Sequence, residues 1–156
     1  MIKKKKKRKK KTAWWVDWRT ELLVKLALAR LGNLRICKFS DDSDDLLVVT
    51  EQGFCFFVVS KGFSSIATGS SEIDASDELV ATLEPGLLER VQFYRNPVVL
   101  FYFNADTDHG RYLRLDTLPD TTVEEVRLPI TNTITKASVQ KLIREMQGAP
   151  KASRAS

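Results

Sequence analysis

Histidine, cysteine and glycine are scarce in this chain, and each scarcity removes a class of chemistry. A single histidine, His109, leaves little for a nucleophile–histidine relay. It lies in the polar stretch "ADTDHG", a turn in which an exposed side chain is expected. Two cysteines, Cys37 and Cys55, have no CxxC spacing and with His109 supply too few ligands for zinc. Both fall in strand-like segments and are expected to be buried thiols of a reducing compartment. The seven glycines form no phosphate loop of the Walker or dinucleotide type and no GxSxG elbow. No apolar run approaches the ~18 to 20 residues of a membrane span. Asp17 and Arg19 interrupt the stretch after the basic N-terminus, so no secretion signal is expected either. The expectation is a cytoplasmic protein of 156 residues, one domain long enough to bury a core without disulfide or metal.

What is abundant is positive charge in one place. Lys3, Lys4, Lys5, Lys6, Lys7, Arg8, Lys9, Lys10 and Lys11 follow one another without a break. The rest of the chain holds 16 Lys and Arg against 20 Asp and Glu, so the body is about −4 although the whole is +5. Like charges cannot pack, and residues 1–12 are expected to be a disordered arm. Nine adjacent cations suit salt-sensitive, sequence-blind contact with nucleic acid phosphates. They would also suit a nuclear-localisation signal or an anionic membrane surface, or no essential role at all.

Between the arm and a polar tail at 149–156, hydrophobic periodicity outlines the elements. Residues 14–31 form a helical pattern with Trp15, Trp18, Leu22, Leu26 and Ala29 on one face and Gly32 as its stop. The tryptophans invite base stacking, but at this spacing a core or subunit contact is the expectation. "LRICKF" reads as a strand and "SDDSDD" as an acidic loop; "LLVVT" and "FCFFVVS" around a glycine turn read as a hairpin. Residues 63–76 form a Ser/Gly-rich loop. Ser76 before Asp77 and Glu78 signals a helix running to about Arg95, interrupted at Pro85. "PVVLFYFN" is a central strand, "RYLRLDT" a half-buried one with Tyr112, Leu113 and Leu115, and "VEEVRLPI" an edge strand ended by Pro129. Val139, Leu142, Ile143 and Met146 mark a last helix, with Thr135 as N-cap and Gly148 as stop. The order predicts an α/β domain, a sheet with helices packed on it.

Chemistry is left to carboxylates and lysine, the groups that hold Mg²⁺ and orient water in phosphodiester hydrolysis. The helix carrying Glu21, Asp45 at the head of a strand, and the hairpin partner ending "VVSKG" resemble the PD-(D/E)xK, or restriction-endonuclease-like, nuclease superfamily. The likeness extends through "PVVLFYFNADTDHGRYLRLDTL" and "VRLPITNTITKASVQKL", which are similar to poorly characterised bacterial members. It spans about Trp14 to Gln147, and assigns residues 13–148 to a nuclease-like α/β domain with a central mixed sheet flanked by helices. The resemblance implies Asp45 as the metal-binding aspartate, with Asp44 taking its place if the register slips. Lys61 would be the motif lysine and Glu21 the helix glutamate assisting the metal. It implies a Mg²⁺ cofactor if the site is active, and nucleic acid as partner, DNA before RNA.

Val59 departs from the pattern, because it stands where the family keeps Glu or Gln and offers only methyl groups. Glu51, Glu72 and Asp74 are the candidates to compensate. The residues have plainer readings too. Asp45 can belong to a solvated acidic loop, Lys61 can sit in water or pair with Asp45, and Glu21 can pair with Lys25 at i+4. The expected function is accordingly nucleic-acid processing or binding on a nuclease-like fold. The rival is an inactive structural or regulatory subunit that binds a protein partner or itself.

Overall fold

The computed structural model describes residues 14–38, 45–68 and 78–148. Residues 1–13, 39–44, 69–77 and 149–156 lie outside that description, and with them the expectations for the basic arm, the acidic loop, Asp44, Glu72, Asp74 and the C-terminal tail. The elements run α1 (Trp14–Ala29), β1 (Leu34–Lys38), β2 (Asp45–Thr50), β3 (Cys55–Phe63) and the one-turn α2 (Ser65–Thr68). They continue with β4 (Glu78–Thr82), α3 (Leu87–Gln92), β5 (Val98–Asn104), β6 (Gly110–Arg114), β7 (Glu125–Pro129), a 3₁₀ turn (Ile130–Asn132) and α4 (Lys136–Gly148).

Five strands form one mixed sheet in the order β1-β2-β3-β5-β6. Only β3 and β5 run parallel, with Phe57 opposite Val98 and Lys61 opposite Tyr102. The other neighbours are antiparallel, as short hairpin connections require. β5 is buried almost throughout, as its continuous apolar run demands of a strand covered on both faces. Because side chains alternate along a strand, the sheet feeds two cores. Leu46, Val48, Phe56, Val58, Val99, Phe101 and Phe103 meet Val24 and Leu28 of α1 and Val139, Leu142, Ile143 and Met146 of α4. Phe57, Val59, Val98 and Leu100 meet Leu87, Leu88 and Val91 of α3 and the ribbon of β4 with β7. The molecule is an α/β domain with a layer on each side of the sheet.

Two tight features hold α1 in place. Gly32, in the left-handed conformation at φ 77°, ends the helix, and its N–H donates to the Ala29 carbonyl. Lower down, α1 rests against β3 at Gly62, where any Cβ would collide with the Thr20 side chain. At its N-terminal end, Arg19 donates from Nε and Nη2 to Asp108 in the β5–β6 turn, at 2.7–2.9 Å. Asp108 itself adopts a left-handed φ of 62°, a conformation aspartate tolerates better than most residues.

Several expectations need correction. Residues 78–82 form a strand, not part of a helix, because Leu79, Ala81 and Leu83 turn inward while Val80 and Thr82 face outward. That two-residue period prevails over the helix-like start. β7 exists and reaches Pro129, yet it pairs with β4 in a separate ribbon and does not edge the main sheet. The buried thiols are not buried: Cys37 lies exposed on the edge strand β1 and Cys55 half-buried beside the hairpin turn. Lastly, α1 packs through Val16, Thr20, Val24 and Leu28. The face expected to be core points largely outward, with Trp18, Leu22, Leu26 and Ala29 exposed and Trp15 half-buried; Trp14 beside it is exposed as well.

Candidate functional site

Asp45 opens β2 directly opposite Val59 of β3, so the two side chains share a face of the sheet. That face is the one covered by α3 and β4, and Lys61, two residues along from Val59, points the same way. Asp45 is 5% exposed, and its Oδ2 accepts a hydrogen bond from Arg90 Nη2 of α3 at 3.4 Å. A carboxylate removed from water in this way needs such a cation to stay ionised. Lys61 does not meet Asp45. Its Nζ donates to Glu84 Oε1 at 3.3 Å, just beyond β4.

Glu21 belongs to α1, the helix covering the opposite face, and its carboxylate pairs with Lys25 one turn later at 2.9 Å. The structure brings Glu21 near the Lys61 segment in a small cleft lined by Asp17, Thr20, Glu21, Ser60 and Lys61. The cleft offers about 10 Å³, room for one water and not for a hydrated divalent ion with a phosphate. Thr20 stands at its base with its hydroxyl buried and without a hydrogen-bond partner among the described residues. Of the three residues of the expected site, Glu21 and Lys61 thus line one cleft and Asp45 lies outside it, and each has an ion-pair partner.

The donors among the described residues do not make a magnesium site. Among the described residues no three His, Cys, Asp or Glu side chains stand close enough to hold a metal. Glu51 cannot supply the ligand missing at Val59, since it sits in the β2–β3 turn at the far end of the strand from Asp45. Sequence reasoning missed Arg90 and Glu84. Neither belongs to a motif, and only the packing of α3 and β4 on the sheet brings them to Asp45 and Lys61.

A second polar cluster surrounds the turn after β5. Asp106 Oδ1 accepts from Ser64 Oγ at 2.6 Å, and Oδ2 accepts the Ile66 N–H at 3.2 Å at the start of α2. The Ser64 hydrogen bond, aided by the Ile66 and Ser65 amides and opposed by burial, holds the Asp106 carboxyl below its ordinary range. His109 is exposed in this turn, as its sequence context suggested. No described helix is long and apolar enough to cross a membrane.

No family model, curated protein or solved structure matches the chain.

Proposed function

We propose that this chain is a nucleic-acid-binding protein on a restriction-endonuclease-like fold whose cleavage site is closed. The observation that carries the reading is the Asp45–Val59 register pair, with Asp45 neutralised by Arg90 and Lys61 by Glu84. Support for the fold comes from the order of α1, the antiparallel β1–β2–β3 sheet and the parallel strand β5. The aspartate and lysine stand at the strand positions the resemblance implies, while a valine occupies the third position. Catalysis by metal needs at least two oxygen ligands facing one another across an open pocket. Here the face opposite Asp45 offers methyl groups, so the protein works without Mg²⁺. Binding falls to Lys3–Lys11, whose nine cations can engage phosphates regardless of sequence.

A cleavage assay with Mg²⁺ or Mn²⁺ on plasmid, single-stranded DNA and RNA, alongside Asp45→Ala and Lys61→Ala, tests the first half. No cleavage by any of the three proteins is expected; metal-dependent cutting lost in both variants would restore an active nuclease. Binding titrations test the second half. Affinity should fall by roughly a thousandfold or more between about 50 mM and about 200 mM salt if six or more arm residues meet phosphates. Neutral residues in place of Lys3–Lys11 should remove most of it. A chain that binds no nucleic acid at low salt would instead be the regulatory subunit, using its acidic body on a protein partner.

A further inference from the structure

Helix α1 is apolar on two sides. Its inner row, Val16, Thr20, Val24 and Leu28, is buried on the sheet. The outer row, Trp14, Trp18, Leu22 and Leu26, repeats at the same four-residue interval and is 78, 61, 46 and 49% exposed. A helix apolar all round is normally covered all round. Sixteen residues carrying Asp17, Arg19, Glu21 and Lys25 are too few and too charged to cross a bilayer. The outer row is left open to another partner.

Charge identifies the occupant. Residues 1–31 hold twelve Lys and Arg and two acidic residues, whereas the rest of the chain holds thirteen against eighteen. The exposed indoles and the excess cations are thus neighbours in the sequence of an otherwise acidic chain. Lys11 is three residues from Trp14, so whatever the path between them their Cα atoms are at most about 11 Å apart. Lys25, moreover, projects between Trp14 and Trp18 when the helix is viewed down its axis, on the tryptophan flank of the outer face. A cation there is a cost for insertion into lipid and for a dry contact with a second copy. Against a phosphate backbone it is a contact. Its pair with Glu21 is exposed, with Lys25 46% accessible, and such pairs exchange partners at little cost.

We infer that the outer face of α1 is a stacking platform for unpaired bases, so the ligand is single-stranded nucleic acid. This rests on the nucleic-acid reading above. Trp14 and Trp18 are one helical step of four residues apart, about 6 Å along the axis. That exceeds the ~3.4 Å between stacked bases of a duplex strand, so the platform suits a strand drawn open. Only unpaired bases offer free faces to an indole, and stacking of this kind is indifferent to sequence. Lys25, on the flank of the same face, would meet a phosphate of the strand.

All three tryptophans of the chain lie in α1, so intrinsic fluorescence reports on this helix alone. The intact protein is titrated with a short oligothymidylate and with a duplex of equal length. Quenching by the single strand and tighter binding than to duplex are expected. Trp14→Ala and Trp18→Ala should each weaken single-strand binding by roughly tenfold and leave duplex binding unchanged. Both side chains are exposed, and circular dichroism confirms that the variants are folded. Trp18→Leu, still apolar, should lose affinity like the alanine variant; retained affinity would overturn stacking. Equal binding of both nucleic acids, unaffected by these variants, would overturn the inference and leave the nucleic-acid reading standing. Absence of binding to either would overturn both. Tryptophan-dependent partition onto phosphatidylglycerol vesicles, or dimerisation abolished by Trp18→Ala, without single-strand preference, would assign the face to lipid or to a second copy.

Discussion

A methyl group added at residue 62 has nowhere to go. An ideal Cβ there would run into the Thr20 hydroxyl and stand 2.9 Å from Thr20 Cβ. Gly62→Ala should therefore destabilise the protein by about 1 to 3 kcal/mol, as overpacking does, in urea or thermal unfolding. Adding Thr20→Ala should recover part of that loss, since it removes the hydroxyl and leaves the Cβ. Asp106 supplies a second residue-scale expectation. Its folded pKa lies below 3.8, so the unfolded chain takes up the proton first as pH falls. The stabilisation it gives is present above pH 3.8 and is lost as pH drops through the depressed folded value. Asp106→Asn should abolish that acid-side dependence in pH-resolved melts. Single residues were legible in the sequence where their own chemistry spoke, as with Val59, which cannot ligate a metal. The partners Arg90 and Glu84 were not legible, because 45 and 23 residues separate them from Asp45 and Lys61.

At the scale of elements, α4 shows what a sequence can announce. One apolar face at three- and four-residue spacing became its buried row, and Thr135 caps it by accepting the Ser138 N–H at 3.0 Å. Ser138 Oγ accepts the Thr135 N–H at 2.8 Å in return, so serine takes the place usual for glutamate in a capping box. Thr135→Ala should cost about 1 kcal/mol, read as a lowered melting temperature with the fold retained. α1 was legible as a helix but not in its orientation, because both of its sides are apolar and periodicity had no single answer. β4 was misleading for another reason. Five residues are few for a two-residue period to declare itself, and Ser-Asp-Glu in front imitates a helix start. What fixes it as a strand is its pairing with β7, Leu79 opposite Leu128, which no local pattern encodes.

Considered whole, the molecule is a domain whose charge is sorted by position along the chain, positive before residue 31 and negative after. The domain class could be read from the alternation of helices and strands; the pairing of Asp45 with Arg90 and of Lys61 with Glu84 could not, since it depends on which face each layer covers. The single parallel pair also bears on how quickly the chain finds this arrangement. β1, β2 and β3 are close neighbours in sequence, whereas β5 aligns with β3 only across a long intervening stretch of chain. Late pairing of that kind makes the β3–β5 seam the natural rate-limiting contact. The β4–β7 ribbon, whose strands flank β5 in sequence, can close once β5 is in place. Val98→Ala is then expected to slow refolding, and Leu128→Ala mainly to hasten unfolding, in stopped-flow chevrons. A chain delayed at the seam would hold β3 half-paired, its apolar Phe56–Val59 segment open to the wrong neighbour, so the strand at the centre of the sheet is also the one most exposed to misassembly during folding.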